Sequence, residues 1–83
     1  MNQFRGKIVH IGQVEQFGTN GFTKRIIVLA DQYNEICFEM HKEDTSKSDA
    51  FQVGQEATVQ FVLRGRSNQG RWYNALLVKS IQH

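Results

Sequence analysis

The residue types that most often perform catalysis are scattered along this chain rather than grouped. The three histidines, His10, His41 and His83, fall on different predicted elements. The single cysteine, Cys37, has no partner for a disulfide or a CxxC metal site, and it lies between two glutamates that oppose thiolate formation. No HExxH, nucleophile-elbow or phosphate-loop motif is present. The sequence therefore predicts no enzyme, no metal site and no cofactor.

Basic and aromatic residues, by contrast, form two clusters that lie far apart in the chain. The first consists of Phe17, Phe22, Lys24 and Arg25. The second consists of Arg64, Arg66, Arg71, Trp72 and Tyr73. Proteins that bind single-stranded nucleic acids combine cations for the phosphates with flat rings on which bases stack. These residues are the predicted nucleic-acid-binding site, in which Tyr73 and either Phe17 or Phe22 stack on bases and the cations contact phosphates.

The distribution of charge favours an anionic partner more than the total does. The net charge is only +2, yet residues 1–30 carry +3, residues 31–56 carry −5 and residues 57–83 carry +4. Two basic ends around an acidic middle can orient a polyanion. Glu39 argues against this interpretation, because a carboxylate on the binding face repels phosphate.

Length and composition describe one small domain over residues 1–83. Hydrophobic residues at 40% and charged residues at 22% are ordinary values for a globular chain. No apolar run approaches the roughly 20 residues of a membrane-spanning helix, and the first residues lack the apolar segment of a signal peptide. We therefore expect a cytoplasmic protein with no membrane partner.

Glycines separate short apolar runs, which predicts an all-β domain. Five strands are expected within residues 4–14, 22–30, 36–41, 57–64 and 71–81, with loops at residues 16–21 and 65–70. Gly6 and Gly12 predict a bulge or bend in the first strand. A short helix is expected within residues 42–52, capped by Asp44 or Thr45. This order, with one helix between strands three and four, predicts a five-stranded OB-fold-like barrel, with a meander or an SH3-like barrel as alternatives.

Alternation within the strands predicts which side chains face the core. These are Ile36, Phe38, Met40, Ala57, Val59, Phe61, Leu63, Leu76 and Val78, with Trp72 pointing toward the barrel and Tyr73 outward. The second strand is apolar on both faces, so Ile26 and Val28 need a cover. A homodimer or larger oligomer is the expected cover.

The chain also resembles a small bacterial family of unassigned function, in the stretches Gly6-Lys7-Ile8, Gln32-Tyr33, Ile36-Cys37-Phe38-Glu39, Val53-Gly54 and Gly70-Arg71-Trp72-Tyr73-Asn74. The resemblance extends from about Phe4 to Ile81. It implies an OB-fold similar to that of single-stranded DNA-binding proteins. The last residues, 81–83, lack the acidic tail of the bacterial housekeeping proteins, which suggests an accessory or phage-type protein of DNA replication or repair.

These observations predict a protein that binds single-stranded DNA, or RNA, in a basic and aromatic groove. The alternative is an OB-type module for protein–protein interaction or assembly that binds no nucleic acid. The two-sided apolar second strand, together with Val62 and Leu77, favours that alternative. The two predictions are compatible, because small binding domains of this kind can pair to double their site.

Overall fold

Strands make up most of the chain in the computed structural model, which describes residues 2–19 and 21–83. The strands are β1 (Asn2–Ile11), β2 (Glu15–Phe17), β3 (Phe22–Ala30), β4 (Glu35–His41), β5 (Glu56–Asn68) and β6 (Arg71–Gln82). One 3₁₀ helix, Lys42–Ala50, connects β4 to β5. The mostly-β class and the single short helix between these strands are confirmed.

The six strands form one sheet, and five of them close in a ring. β1 pairs antiparallel with both β3 and β5, and β5 pairs antiparallel with β6. β4 pairs antiparallel with β3 and meets β6 in parallel register, with Glu39 opposite Leu77. β2 pairs only with the start of β3 among the described strands, so it lies beside the ring rather than within it.

The sequence prediction of five strands was wrong by one, because β2 occupies part of the expected loop at residues 16–21. Glu15 is opposite Lys24 and Phe17 is opposite Phe22. A strand of three exposed residues is too short for alternation to reveal it. Its effect is to bring Phe17 next to the first residues of β3.

β1 bends so that it can pair with two strands, as its glycines predicted. The register against β3 shifts between Ile8 and His10, which marks a bulge. At Gly6, where β1 passes from β5 to β3, a Cβ atom would lie 2.5 Å from the carbonyl oxygen of Ala30. Only glycine therefore allows the two backbones to approach so closely.

The core fills the inside of the ring. Its buried apolar residues are Ile8, Ile27, Leu29, Phe38, Met40, Phe51, Ala57, Val59 and Val78. Ile36, Phe61, Leu76 and Ile81 pack against these from partly buried positions. In β6, Lys79 is an extra residue between the pairs Phe61–Val78 and Gln60–Ser80, and this bulge lets both Val78 and Ile81 face the core.

β5 and β6 continue past the ring as a two-stranded hairpin, residues 63–76, which we call the arm. Among the described residues, those of the arm pair only with each other. The expected loop at residues 65–70 is wrong: the turn is only Gln69 and Gly70, with φ angles of 53° and 78°, as in type I′ hairpins. The predicted burial of Leu63 is also wrong, because no third strand covers it there.

The helix between β4 and β5 differs in detail from the prediction. It is a 3₁₀ helix whose N-cap is His41, with no side-chain cap, so neither Asp44 nor Thr45 caps it. Thr45 instead donates its hydroxyl to the carbonyl of Lys42 at 2.8 Å. The following residue Phe51 is buried in the core, which anchors the segment to the ring.

Candidate nucleic-acid interface

An open groove of about 480 Å³ crosses the outer face of β3, β4 and the arm. It is lined by Phe22, Lys24, Glu39, His41, Arg64, Gly65, Arg66, Tyr73, Asn74 and Ala75. Strand register explains this grouping, because Lys24 is opposite His41 and Arg66 is opposite Tyr73. Cross-strand partners lie on one face, so residues distant in sequence become neighbours.

One side of the groove belongs to the arm and is basic. Arg64 and Arg66 are alternate residues of β5, so their side chains leave the same face. The guanidinium carbon of Arg66 lies 5.8 Å from the centre of the Tyr73 ring, within the range of a cation–π contact. The pair presents a cation and an aromatic ring at one place.

The other side belongs to the start of β3 and combines the same two chemistries. The Nζ of Lys24 lies 5.2 Å from the centre of the Phe17 ring. Phe22 meets the His41 ring edge to face, with 5.1 Å between the ring centres. Phe17 therefore flanks the groove next to Lys24, although it does not line it.

The middle of the groove contains a carboxylate. The Oε1 atom of Glu39 lies 2.9 Å from Nε2 of His41 and 3.8 Å from Nζ of Lys24. The Glu39 side chain is 25% exposed. The repulsion expected from Glu39 is thus partly offset by the ammonium group of Lys24 on the neighbouring strand.

Cys37 lies two residues before Glu39 on the same face of β4. Partial burial raises the pKa of the Cys37 thiol, and the charge of Glu39 raises it further, while Lys24 acts in the opposite direction. The direction predicted from the flanking glutamates is confirmed, although burial is the larger cause. The thiol is therefore a poor nucleophile at neutral pH.

Five of the nine sequence-predicted site residues line the groove, namely Phe22, Lys24, Arg64, Arg66 and Tyr73. Arg71 and Trp72 lie near the turn of the arm, beyond the groove. Trp72 is 80% exposed and lies on the opposite face of β6 from Tyr73. The prediction that Trp72 points toward the barrel is therefore wrong, because β6 has left the ring by this residue.

Arg25 lies on the opposite face of β3 from Lys24. Its Nε donates to the carbonyl of Gly12 at 2.7 Å, and its Nη1 donates to the carbonyl of Thr45 and to Oδ1 of Asp49. The side chain is only 18% exposed. Arg25 thus connects the 3₁₀ helix to the segment after β1. Alternation along β3 alone predicts that Arg25 and Lys24 lie on opposite faces.

Sequence analysis missed two polar residues of the groove, His41 and Asn74. His41 shares the outward face of β4 with Glu39, so alternation could have placed the two together. Asn74 was expected to face inward with Leu76 and Val78, yet it is part of the groove lining, where the arm has left the ring. Within residues 2–19 and 21–83, no three His, Cys, Asp or Glu side chains form a group suited to a metal ion. The described part of the chain also contains no helix with the length and apolarity needed to cross a membrane.

Comparison with known proteins identifies a family but no activity. A family model described as a domain of unknown function, DUF3127, matches residues 3–82. The match covers nearly the whole chain, so the chain belongs to this family. No curated protein matches it.

Proposed function

Because membership of a family of unknown function assigns no activity, we propose from the groove itself that this domain binds single-stranded nucleic acid, with DNA as the first candidate. The observation that supports this most is the pairing of cations with aromatic rings on both sides of one open groove. Arg66 lies beside Tyr73, and Lys24 lies beside Phe17. Cations neutralise phosphates and rings stack on bases, so each side offers both contacts that a single strand needs.

We also propose that the fold is of the OB type. Leaving out the short β2, the ring order is β1–β3–β4–β6–β5, with the helix between β4 and β5. OB-fold domains bind oligonucleotides on the face of their second and third strands, between the loop after the first strand and the loop before the last. The groove lies on β3 and β4, the second and third long strands, and beside the arm, which agrees with that mode.

The proposal is tested by titrating labelled oligo-dT, duplex DNA and single-stranded RNA of equal length and following fluorescence anisotropy. We expect the single strands to bind more tightly than the duplex. If the groove cations Lys24, Arg64 and Arg66 neutralise about three phosphates, log K should fall with log salt at a slope of roughly −2. An absence of binding to any single strand at low salt would reject the proposal.

A pair of matched variants connects the binding to the groove. Replacing Arg64 and Arg66 by glutamine should weaken binding to all sequences and flatten the salt slope by about 1.4, for two phosphates at about 0.7 each. The control is Arg5→Gln with Lys7→Gln, which removes the same charge from exposed positions of β1. Lys7 is opposite Ala30, at the end of β3 farthest from Phe22. Equal effects of the two double variants would place the contacts outside the groove.

A second candidate function, as a module for assembly, is favoured by one observation. Leu63 and Trp72 are exposed on the face of the arm opposite Tyr73. Large exposed apolar groups on a small domain indicate an interaction surface. We propose that this surface supports a homodimer or larger oligomer, which is compatible with nucleic-acid binding in the groove on the other face.

A further inference from the structure

The carboxylate of Glu39 needs an explanation in a groove that binds a polyanion. A negative charge there weakens attraction for phosphate, and its ion pair with Lys24 occupies one of the groove's cations. A contact with a base rather than with the backbone would justify it, because a carboxylate is purely an acceptor and bases present N–H donors.

The contacts of Glu39 leave one oxygen available. His41 and Lys24 both approach Oε1. In the part of the chain that the structure describes, no side-chain hydrogen bond uses Oε2, and no buried side-chain oxygen lacks a partner. Oε2 therefore faces the solvent of the groove and is free to accept a hydrogen bond from a ligand.

The rings beside Glu39 orient a base toward it. Tyr73 from β6 and Phe22 from β3 line the same groove as Glu39. A base that stacks on either ring keeps its edge free for hydrogen bonds, and single-stranded recognition reads bases at their Watson–Crick edges. Glu39 lies on β4, between the strands that carry the two rings, and it is the acidic hydrogen-bond acceptor of the groove lining.

We infer that Glu39 makes the groove selective for guanine, an inference that rests on the proposed binding of single strands. Guanine presents two neighbouring donors, N1–H and the N2 amine, and the free Oε2 atom can accept from both because a carboxylate oxygen has two lone pairs. Adenine and cytosine each present one amine next to a ring nitrogen acceptor, and thymine presents one N–H between two carbonyl oxygens. A carboxylate meets a repelling lone pair in each of these three bases but not at the two donors of guanine.

The test compares oligo-dT strands in which one central base is thymine, guanine or hypoxanthine, the last being guanine without its N2 amine. The parent protein should bind the guanine strand at least about fivefold more tightly than the thymine strand, the lower end of the range for a specific base contact. The hypoxanthine strand should lie between the two. Equal affinity for all three strands would overturn the inference while leaving single-strand binding intact, whereas failure to bind any strand would overturn the proposed function itself.

Variants of two glutamates on one face of β4 complete the test. Glu39→Gln should bind the thymine strand more tightly, because a negative charge is lost, and should lose the guanine preference. Glu35→Gln removes the same charge from the far end of the strand, opposite Ala30, and should keep the preference. If Glu39→Gln changes the affinity for all three strands by the same factor, Glu39 only positions Lys24 and His41, and the inference is wrong.

Discussion

Tyr73 offers a direct test of stacking in the groove. It is 45% exposed and lies beside Arg66, so one ring face is available to a base. Tyr73→Ala should cost about 1–3 kcal/mol of binding free energy for any single strand. The salt slope should not change, because stacking releases no counterions.

Tyr33 provides the matched control for this prediction. It is more exposed than Tyr73 but lies in the turn between β3 and β4, outside the groove. Anisotropy titrations at three salt concentrations should show no loss for Tyr33→Ala. A Tyr73→Phe variant should retain most of the affinity, since the ring remains. Loss of affinity on replacing Tyr33 rather than Tyr73 would contradict the assignment.

Cys37 reports the electrostatics of the same face. Because the pKa of its thiol is raised by burial and by Glu39, alkylation by iodoacetamide should be slower at neutral pH than for a free cysteine, and its pH midpoint should be higher. Glu39→Gln should lower that midpoint, because the smaller of the two causes is removed. The measurement is the rate of alkylation from pH 7 to 10 by mass spectrometry. A midpoint unchanged by Glu39→Gln would show that burial alone sets the reactivity.

β3 and β5 both pair with β1, so β1 is the element most sensitive to an increase in side-chain size. Gly6→Ala would put a methyl group 2.5 Å from the Ala30 carbonyl, and a backbone atom cannot move aside as a side chain can. We expect a loss of about 1–3 kcal/mol in the free energy of unfolding, measured by urea denaturation.

Gly65→Ala is the control for this substitution, because its methyl group would meet the Asn74 side chain at 3.3 Å and the Tyr73 carbonyl oxygen at an ordinary contact distance of 3.9 Å. It should change the free energy of unfolding by less than about 1 kcal/mol in either direction. Similar losses for the two variants would show that the general cost of a side chain, and not the close approach of β1 to β3, explains the result.

The elements also show how far sequence reasoning extends. Alternation correctly predicted the buried faces of Phe38, Met40, Ala57 and Val59, because each of these lies in a strand covered by the ring. It failed for Leu63 and Trp72, which have the same inward phase but lie in the arm. The face to which a side chain points depends on its own strand, whereas its burial depends on whether a neighbouring strand covers it. The local sequence does not show where that neighbouring strand ends.

The candidate site, like the fold, could be predicted only in part from the sequence. The two basic and aromatic clusters could be predicted, since residue type alone indicates their chemistry. Their convergence in one groove required the register of β3, β4 and β6, which brings Lys24, Glu39 and Tyr73 to one face. The pairing of Arg25 with Asp49 could not be predicted, because it depends on where the 3₁₀ helix lies.

The molecule as a whole leaves apolar side chains open on two faces, and its oligomeric state tests what covers them. Ile26 and Val28 are only partly buried on the groove face of β3, and Leu63 and Trp72 are exposed on the opposite face of the arm. We expect sedimentation velocity to show a dimer or larger species at micromolar concentrations, and Trp72→Ala to shift the equilibrium toward the monomer. A single 9.6 kDa species at high micromolar concentration would contradict this.

If the groove binds single strands as proposed, the length of the arm determines how many nucleotides one molecule covers. Because its residues pair only with each other among those described, its length is independent of the ring. Removing one residue from each strand shortens the arm by about 3.4 Å and moves the side chains beyond the deletion to the other face. Removing two from each strand shortens it by about 7 Å and keeps those side chains on their original faces. Related domains can therefore differ in the length of the groove in steps of two residue pairs while keeping the same ring. Their occluded site sizes on a long single strand should follow the length of the arm rather than the size of the domain.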